Sequence, residues 1–132
     1  FGSEPVAMDF AALIEAVGRP DQLMIGLEQP FAVASNSSAR AMAQGIGFGV
    51  LLGVVGALGY RHERIKPADW KRELGLPMSS KLSTAQKKDN SRQHAARLWP
   101  AQAEQYWPLK KHDGRAEAAL IGECLRRRIL GS

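Results

Sequence analysis

Three carboxylates occupy positions from which they could hold divalent metal ions. Glu28 directly follows the apolar run "QLMIGL", a pattern typical of the C-terminal end of a buried strand. A carboxylate there is costly unless it binds a cation or a hydrogen-bond donor. Asp113 and Glu117 lie four residues apart, so a helix would project both from one face. Two divalent ions held by such oxygens activate a water molecule and stabilise the leaving oxygen in phosphodiester hydrolysis.

The helical pair also has a simpler interpretation. Asp113 is well placed to be the N-cap of a final helix, and Glu117 to be the exposed partner of Lys111 or Arg115. Spacing alone does not choose between capping and metal binding.

Positive charge is concentrated in the second half of the chain. Residues 61–132 carry 16 basic and 8 acidic side chains, whereas residues 1–60 carry 2 and 5. This asymmetry indicates a polyanionic partner, and nucleic acid fits better than an anionic membrane because the basic residues follow no amphipathic stripe.

The sequence contains a single cysteine, Cys124, which excludes an internal disulfide and favours a reducing compartment. Cys124 lies among apolar residues at helical spacing, a pattern typical of a core.

The elements that must position these residues alternate between helices and strands. Asp9 as N-cap and Gly18 as terminator predict a first helix with an apolar stripe of Phe10, Leu13, Ile14 and Val17. The remaining pattern predicts two strands, within 22–31 and 60–67, and a polar loop over 78–91. It also predicts a helix over 38–59 capped by the "SNSS" stretch and a short helix in 66–77 with Trp70 and Leu74 inward. Two further helices are predicted over 90–100 and from near Asp113. We therefore expect one α/β domain over residues 1–132.

The uncharged stretch from Ala41 to Tyr60 is long enough to cross a membrane. Gly45, Gly49 and Gly53 repeat at every fourth position, a spacing that lets helices approach closely. Gln44 and the many small residues lower its hydrophobicity, and the rest of the chain follows a soluble α/β pattern. We expect this helix to pack on protein rather than in a bilayer.

Four stretches occur in the order found in RuvC-like Holliday junction resolvases. They are "GLEQPF", "GFGVLLGVVGALGYRHERIKPADWKRELGLP", "KKDNSRQHAARLWP" and "KKHDGRAEAALIGE", which together span about residues 23–125. The order resembles most closely the chloroplast and phage branch of the family. The resemblance implies a ribonuclease H-like fold, with a central mixed sheet flanked by helices. It also implies a magnesium- or manganese-dependent endonuclease, with two ions, that cuts four-way DNA junctions as a homodimer.

The resemblance assigns roles to individual residues. Glu28 matches the strand-end catalytic glutamate, and Glu117 matches the acidic residue of "GRAEA". The family's acidic residue after two lysines is replaced here by His112, with Asp113 next. Asp113 is the preferred third ligand because of its spacing to Glu117, and His112 is the alternative.

The family's first catalytic aspartate lies on an N-terminal strand of the form "GxDPG", and nothing like it precedes Glu4. We therefore expect this chain to lack that strand. By resemblance, several basic residues would grip the phosphates around the junction: Lys71, Lys81, Lys87, Lys88, Arg92, Lys110 and Lys111.

The resemblance also implies the remaining partners. The glycine-rich helix over 38–59 would form the homodimer contact, and the compartment would be the chloroplast stroma or nucleoid, with a bacterial or phage-infected cytoplasm as the alternative. Two other functions stay open: a non-catalytic junction-binding protein with the same fold, and a ribonuclease H-like enzyme acting on RNA–DNA hybrids.

Overall fold

The structure is a computed structural model that describes residues 7–30 and 37–131. It is mixed α/β, as expected, with helices predominating. The expected lack of an aspartate-bearing strand at the start of the chain concerns residues 1–6, which lie outside the described residues. In chain order the elements are α1 (Ala7–Val17), β1 (Met24–Glu28), α2 (Ser38–Ala57), β2 (Arg61–Ile65), α3 (Pro67–Glu73), α4 (Thr84–Leu98), α5 (Pro100–Tyr106), a 3₁₀ turn (Lys110–His112) and α6 (Asp113–Leu130).

The chain divides into two compact units, Phe1–Arg64 and Ile65–Ser132. The sheet of the described residues consists of β1 and β2 alone, and the two strands run parallel. It is smaller than the central mixed sheet that we expected. The long helix α2 connects the two strands, as parallel pairing requires.

The core of the first unit is formed by Ile14, Leu27, Val55 and Tyr60. The hydroxyl of Tyr60 donates a 2.7 Å hydrogen bond to the carbonyl of Gly18, which joins the end of α1 to the start of β2. Two expectations for α1 are wrong. Asp9 lies in its first turn rather than at the N-cap, and Leu13 and Val17 are exposed, so the predicted apolar stripe is only half buried.

Helix α2 begins where the sequence predicts. Ser37 is its N-cap, and the side-chain oxygen accepts a 3.1 Å hydrogen bond from the backbone N–H of Arg40. The helix is long and apolar enough to cross a membrane, although length and composition alone are weak evidence for that. Val55 is its buried residue, whereas Met42 and Ile46 are more than half exposed. Much of its apolar surface is therefore uncovered within the described chain.

The second unit is built around α4 and α6, which pack along each other. Small side chains, Ser91 and Ala95 in α4 and Ala116 in α6, are fully buried and let the two helices lie close. Trp70 and Leu74 are buried as predicted. Cys124 is also buried, which confirms its predicted place in a core.

The predicted polar loop over residues 78–91 is wrong in its second half. Helix α4 begins at Thr84 with a capping box, in which Ser83 Oγ accepts from the Gln86 N–H at 3.1 Å and Gln86 Oε1 accepts from the Ser83 N–H at 2.7 Å. The stretch "STAQ" carries the capping signal of α4, but the lysines that follow it show no apolar periodicity, and for that reason the start of α4 was not predicted. Helix α5 was not predicted either.

Candidate nucleic-acid interface

A groove of about 440 Å³ lies in the second unit between the first half of α4 and the start of α6. It is lined mainly by polar and charged side chains. These residues are Ala85, Gln86, Lys88, Asp89, Asn90, Lys110, Lys111 and Asp113. The groove therefore joins two of the stretches that carry the family resemblance, "KKDNSRQHAARLWP" and "KKHDGRAEAALIGE".

The lysine pair at this groove is presented by a single 3₁₀ turn. The His112 N–H donates to the Leu109 carbonyl at 3.0 Å, and the Leu109 N–H donates to His112 Nδ1 at 3.3 Å. These two hydrogen bonds close the turn on itself. Lys110 and Lys111, which lie between Leu109 and His112, are exposed and line the groove together with exposed Lys88 of α4. Three ammonium groups around one groove suit a phosphate backbone.

The other predicted phosphate contacts are placed differently. Lys87 is half-buried in α4, and Lys81 is exposed in the connection before that helix. The Lys71 ammonium lies 5.5 Å from the centre of the Trp70 ring, a cation–π contact within α3. None of these three residues lines the groove.

Arg92 is turned toward the protein. Its guanidinium pairs with Asp89 at 3.0 Å and donates to the carbonyls of Trp107 and Pro108 at 3.5 Å. Only 19% of its side chain is exposed. No local pattern predicts this arrangement, because the carbonyls lie 15 and 16 residues away along the chain.

The predicted metal ligands fall in both units. Asp113 and Glu117 both lie on α6, one turn apart, as their spacing predicts. Both side chains are half-buried. Asp113 is the first residue of the helix rather than its N-cap, which is His112. Glu28 ends β1 in the first unit and is exposed, so the expectation of a costly buried carboxylate is wrong.

The described residues contain no group of three or more His, Cys, Asp or Glu side chains arranged to hold a metal ion. Asp113 and Glu117 by themselves offer carboxylate oxygens, the ligands that Mg²⁺ prefers. An ion bound there would complete its shell with water or phosphate oxygens, as Mg²⁺ commonly does.

His112 is held in one tautomer. Because Nδ1 accepts from the Leu109 N–H, the ring proton of the neutral imidazole lies on Nε2. Desolvation lowers the pKa of His112, and the nearby cations Arg115, Lys111 and Arg92 lower it further. Ligation of a metal through Nε2 would move the ring proton to Nδ1, and Nδ1 could then no longer accept the hydrogen bond that closes the turn.

Neither a scan against models of known protein families nor a search of curated proteins found a match.

Asp89, Gln86 and Asn90 are groove residues that the sequence did not single out. Both oxygens of Asp89 are engaged, Oδ1 by Arg92 and Oδ2 by Gln93 at 2.7 Å. The predicted loop over 78–91 hid these residues, because only a helix brings positions 86, 89 and 90 to one face.

Proposed function

We propose that this protein is a metal-dependent endonuclease that cuts four-way DNA junctions, with a RuvC-like, ribonuclease H-like fold and a homodimeric assembly. One observation supports the proposal above the others. The motif "KKHDGRAEA", which carries much of the resemblance, forms one wall of the basic groove, and it places Asp113 beside Lys110 and Lys111.

The cations and the carboxylates have complementary roles in this proposal. Lys88, Lys110 and Lys111 hold the phosphates of a DNA arm, and they steer the backbone toward the start of α6. Asp113 and Glu117 hold divalent metal there. The resemblance, not the geometry, assigns Glu28 as a further ligand. Bound Mg²⁺ or Mn²⁺ supplies Lewis acidity toward the phosphate and a nucleophilic water.

A homodimer explains the choice of a four-way junction over linear duplex. Two copies related by a two-fold axis present two basic grooves, which can engage two arms and place paired, symmetric nicks. Helix α2 supplies the apolar surface for the contact between copies, since Met42 and Ile46 on it are exposed. By the same resemblance, the enzyme works on plastid DNA.

The test is incubation of the protein with a labelled four-way junction in Mg²⁺, with linear duplex and an RNA–DNA hybrid alongside. We expect paired nicks at symmetric positions on the junction, and none when Mg²⁺ is replaced by EDTA. A junction that is shifted on a gel but never cut would assign the protein as a non-catalytic binder. Cleavage of the hybrid with no preference for the junction would assign it as a ribonuclease H-like enzyme.

A further inference from the structure

Two guanidinium groups hold three consecutive backbone carbonyls, that of the last residue of α5 and those of the two residues after it. The last carbonyls of a helix lack donors within the helix and need partners from elsewhere. Arg115 of α6 donates from Nη1 to the Tyr106 carbonyl at 2.9 Å. Arg92 of α4 donates from its own Nη1 to the carbonyls of Trp107 and Pro108. The chain leaving α5 is thus fastened to α4 and to α6 at neighbouring positions.

Arg92 is itself held in place by Asp89. The Asp89 carboxylate accepts from Arg92 Nε at 3.1 Å and pairs with Nη2 at 3.0 Å, and it also accepts from Gln93 Nε2. About a fifth of each side chain of the Asp89–Arg92 pair is exposed, so salt screens the pair less than a surface pair. A fixed guanidinium orients its remaining N–H groups, and these are the ones that reach the carbonyls.

The fastened carbonyls lie immediately before the residues that form the groove wall. Pro108 is followed by Leu109 and then by the 3₁₀ turn carrying Lys110 and Lys111, and Asp113 opens α6. Hydrogen bonds between Leu109 and His112 close the turn, and it follows the fastened carbonyls directly, so its place depends on how the preceding residues are held.

We infer that Arg92, oriented by Asp89, and Arg115 are positioning residues that set the place of Lys110, Lys111 and Asp113 at the groove. This inference rests on the proposed function for its consequence in DNA binding and cleavage. Its structural half, the ordering of residues 109–112, is independent of what the groove binds. In this inference, Arg92 affects DNA binding through the turn and makes no phosphate contact of its own.

The alternative role for Arg92 is a direct phosphate contact. Substitution of Asp89 distinguishes the two roles, because they predict opposite changes in DNA affinity. Asp89 is negative and lines a basic groove, so its replacement by asparagine should tighten DNA binding if charge alone matters. If Asp89 orients Arg92, the same substitution should weaken binding. Arg92→Lys keeps the charge but loses the planar fork that reaches one carboxylate and two carbonyls.

The experiment compares Asp89→Asn, Arg92→Lys, Arg92→Gln, the double variant Asp89→Asn/Arg92→Gln, and Arg115→Lys. Asp69→Asn is the matched control, because Asp69 and Arg72 form an Asp–Arg pair of the same spacing on a different helix, α3. Hydrogen exchange of the Leu109 and His112 amides measures how well ordered the turn is. The effect on DNA binding is measured as junction affinity at several salt concentrations, and the effect on cleavage as kcat and KM.

We expect faster exchange at Leu109 and His112 in every variant except Asp69→Asn. We expect junction binding or cleavage to fall about tenfold in both Asp89→Asn and Arg92→Lys, the size typical when a residue orienting a ligand is replaced. The double variant should be no worse than Arg92→Gln, because the two residues act as a unit.

Unchanged exchange in Asp89→Asn, Arg92→Lys and Arg115→Lys would overturn the inference. So would full recovery of affinity in Arg92→Lys together with a salt slope lowered by about 0.9 in Arg92→Gln, since that is the signature of one lost phosphate contact. If the unsubstituted protein binds no junction, the proposed function fails, and altered exchange still supports the positioning of the turn.

Discussion

The thiol of Cys124 in α6 donates a 2.8 Å hydrogen bond to Oε2 of Glu73, the last residue of α3. The same carboxylate accepts from Nε of Arg128 at 2.9 Å and from its Nη2. Hydrogen bonds from Arg128 and Cys124 hold the pKa of Glu73 at about 2, well below its usual value. One carboxylate thus ties α3 to the final helix at two positions.

This arrangement predicts how stability depends on pH. Because the pKa of Glu73 is lower in the folded protein than in the unfolded chain, its contribution is fully present above about pH 5 and is lost as the pH falls toward 2. Glu73→Gln should therefore lower the free energy of unfolding at pH 7, and the difference from the unsubstituted protein should shrink at pH 3. Urea unfolding at both pH values measures this. Glu104→Gln, in an exposed position of α5, is the control, and a constant difference at the two pH values would contradict the prediction.

Cys124 should be an unreactive thiol in the folded protein. Burial raises its pKa to about 11, and the hydrogen bond and negative charge of Glu73 contribute to the shift. At pH 8 little thiolate forms, and the side chain is buried. We expect slow reaction with a disulfide reagent such as DTNB in buffer, and one thiol per chain within the dead time in 6 M guanidinium. Rapid labelling of the native protein would show that this part of α6 opens readily.

Glycines on α2 offer a test of the proposed homodimer, because an isolated copy and a dimer predict different results for the same substitutions. A Cβ at Gly49 or Gly53 would meet no atom within 4 Å among the residues that the structure describes, outside the backbone of its own helix. In an isolated copy, Gly49→Ala should stabilise the helix by roughly 1 kcal/mol, and Gly49→Leu should be tolerated as well. If this face meets a second copy, Gly49→Leu and Gly53→Leu should instead force the helices apart and yield monomers.

Light scattering of the three variants and the unsubstituted protein reads the outcome. A monomer before any substitution would remove the dimer from the proposal. Flotation with lipid vesicles, run in parallel, addresses the membrane-length apolar character of Ser38–Ala57. Flotation that Gly49→Leu leaves intact would support a bilayer contact for this helix.

Removal of a predicted metal ligand should separate cutting from binding. Glu117→Gln and Glu28→Gln should each abolish junction cleavage, because the amide cannot replace the carboxylate in holding the ion. Junction affinity should change little, since Lys88, Lys110 and Lys111 remain. Cleavage and gel-shift assays on the same preparations measure both quantities, with Glu15→Gln, at an exposed position of α1, as the control. A parallel loss of binding and cutting would indicate a folding defect instead.

The groove lysines should account for part of the salt dependence of binding. Replacing Lys110 and Lys111 together by glutamine should lower the slope of log affinity against log salt by up to about 1.8, since each phosphate contact contributes about 0.9. Lys81→Gln, outside the groove, should change the slope less. Competition at physiological salt then tests selectivity. If linear duplex displaces a labelled junction as well as unlabelled junction does, the groove recognises DNA only through its charge.

Several features of this protein were readable from the sequence because they depend on near neighbours in the chain. Ser37 caps α2, Pro67 begins α3, and the spacing of Asp113 and Glu117 places both on one helix. The inward faces of α3 and α6, with Trp70 and Cys124, follow from helical periodicity. The capping box of α4 was equally local, and the prediction missed it by relying on apolar period alone.

Other features were decided only by the tertiary structure. Arg92 reads from the sequence as one more cation for phosphate, yet folding brings it two carbonyls from beyond α5 and turns it inward. Glu28 ends a strand as predicted, but the small sheet leaves it exposed. The physical reason is the same for both residues: caps and periodicity act over one helical turn, whereas the partner and the burial of a charged side chain depend on which distant segments the fold places around it.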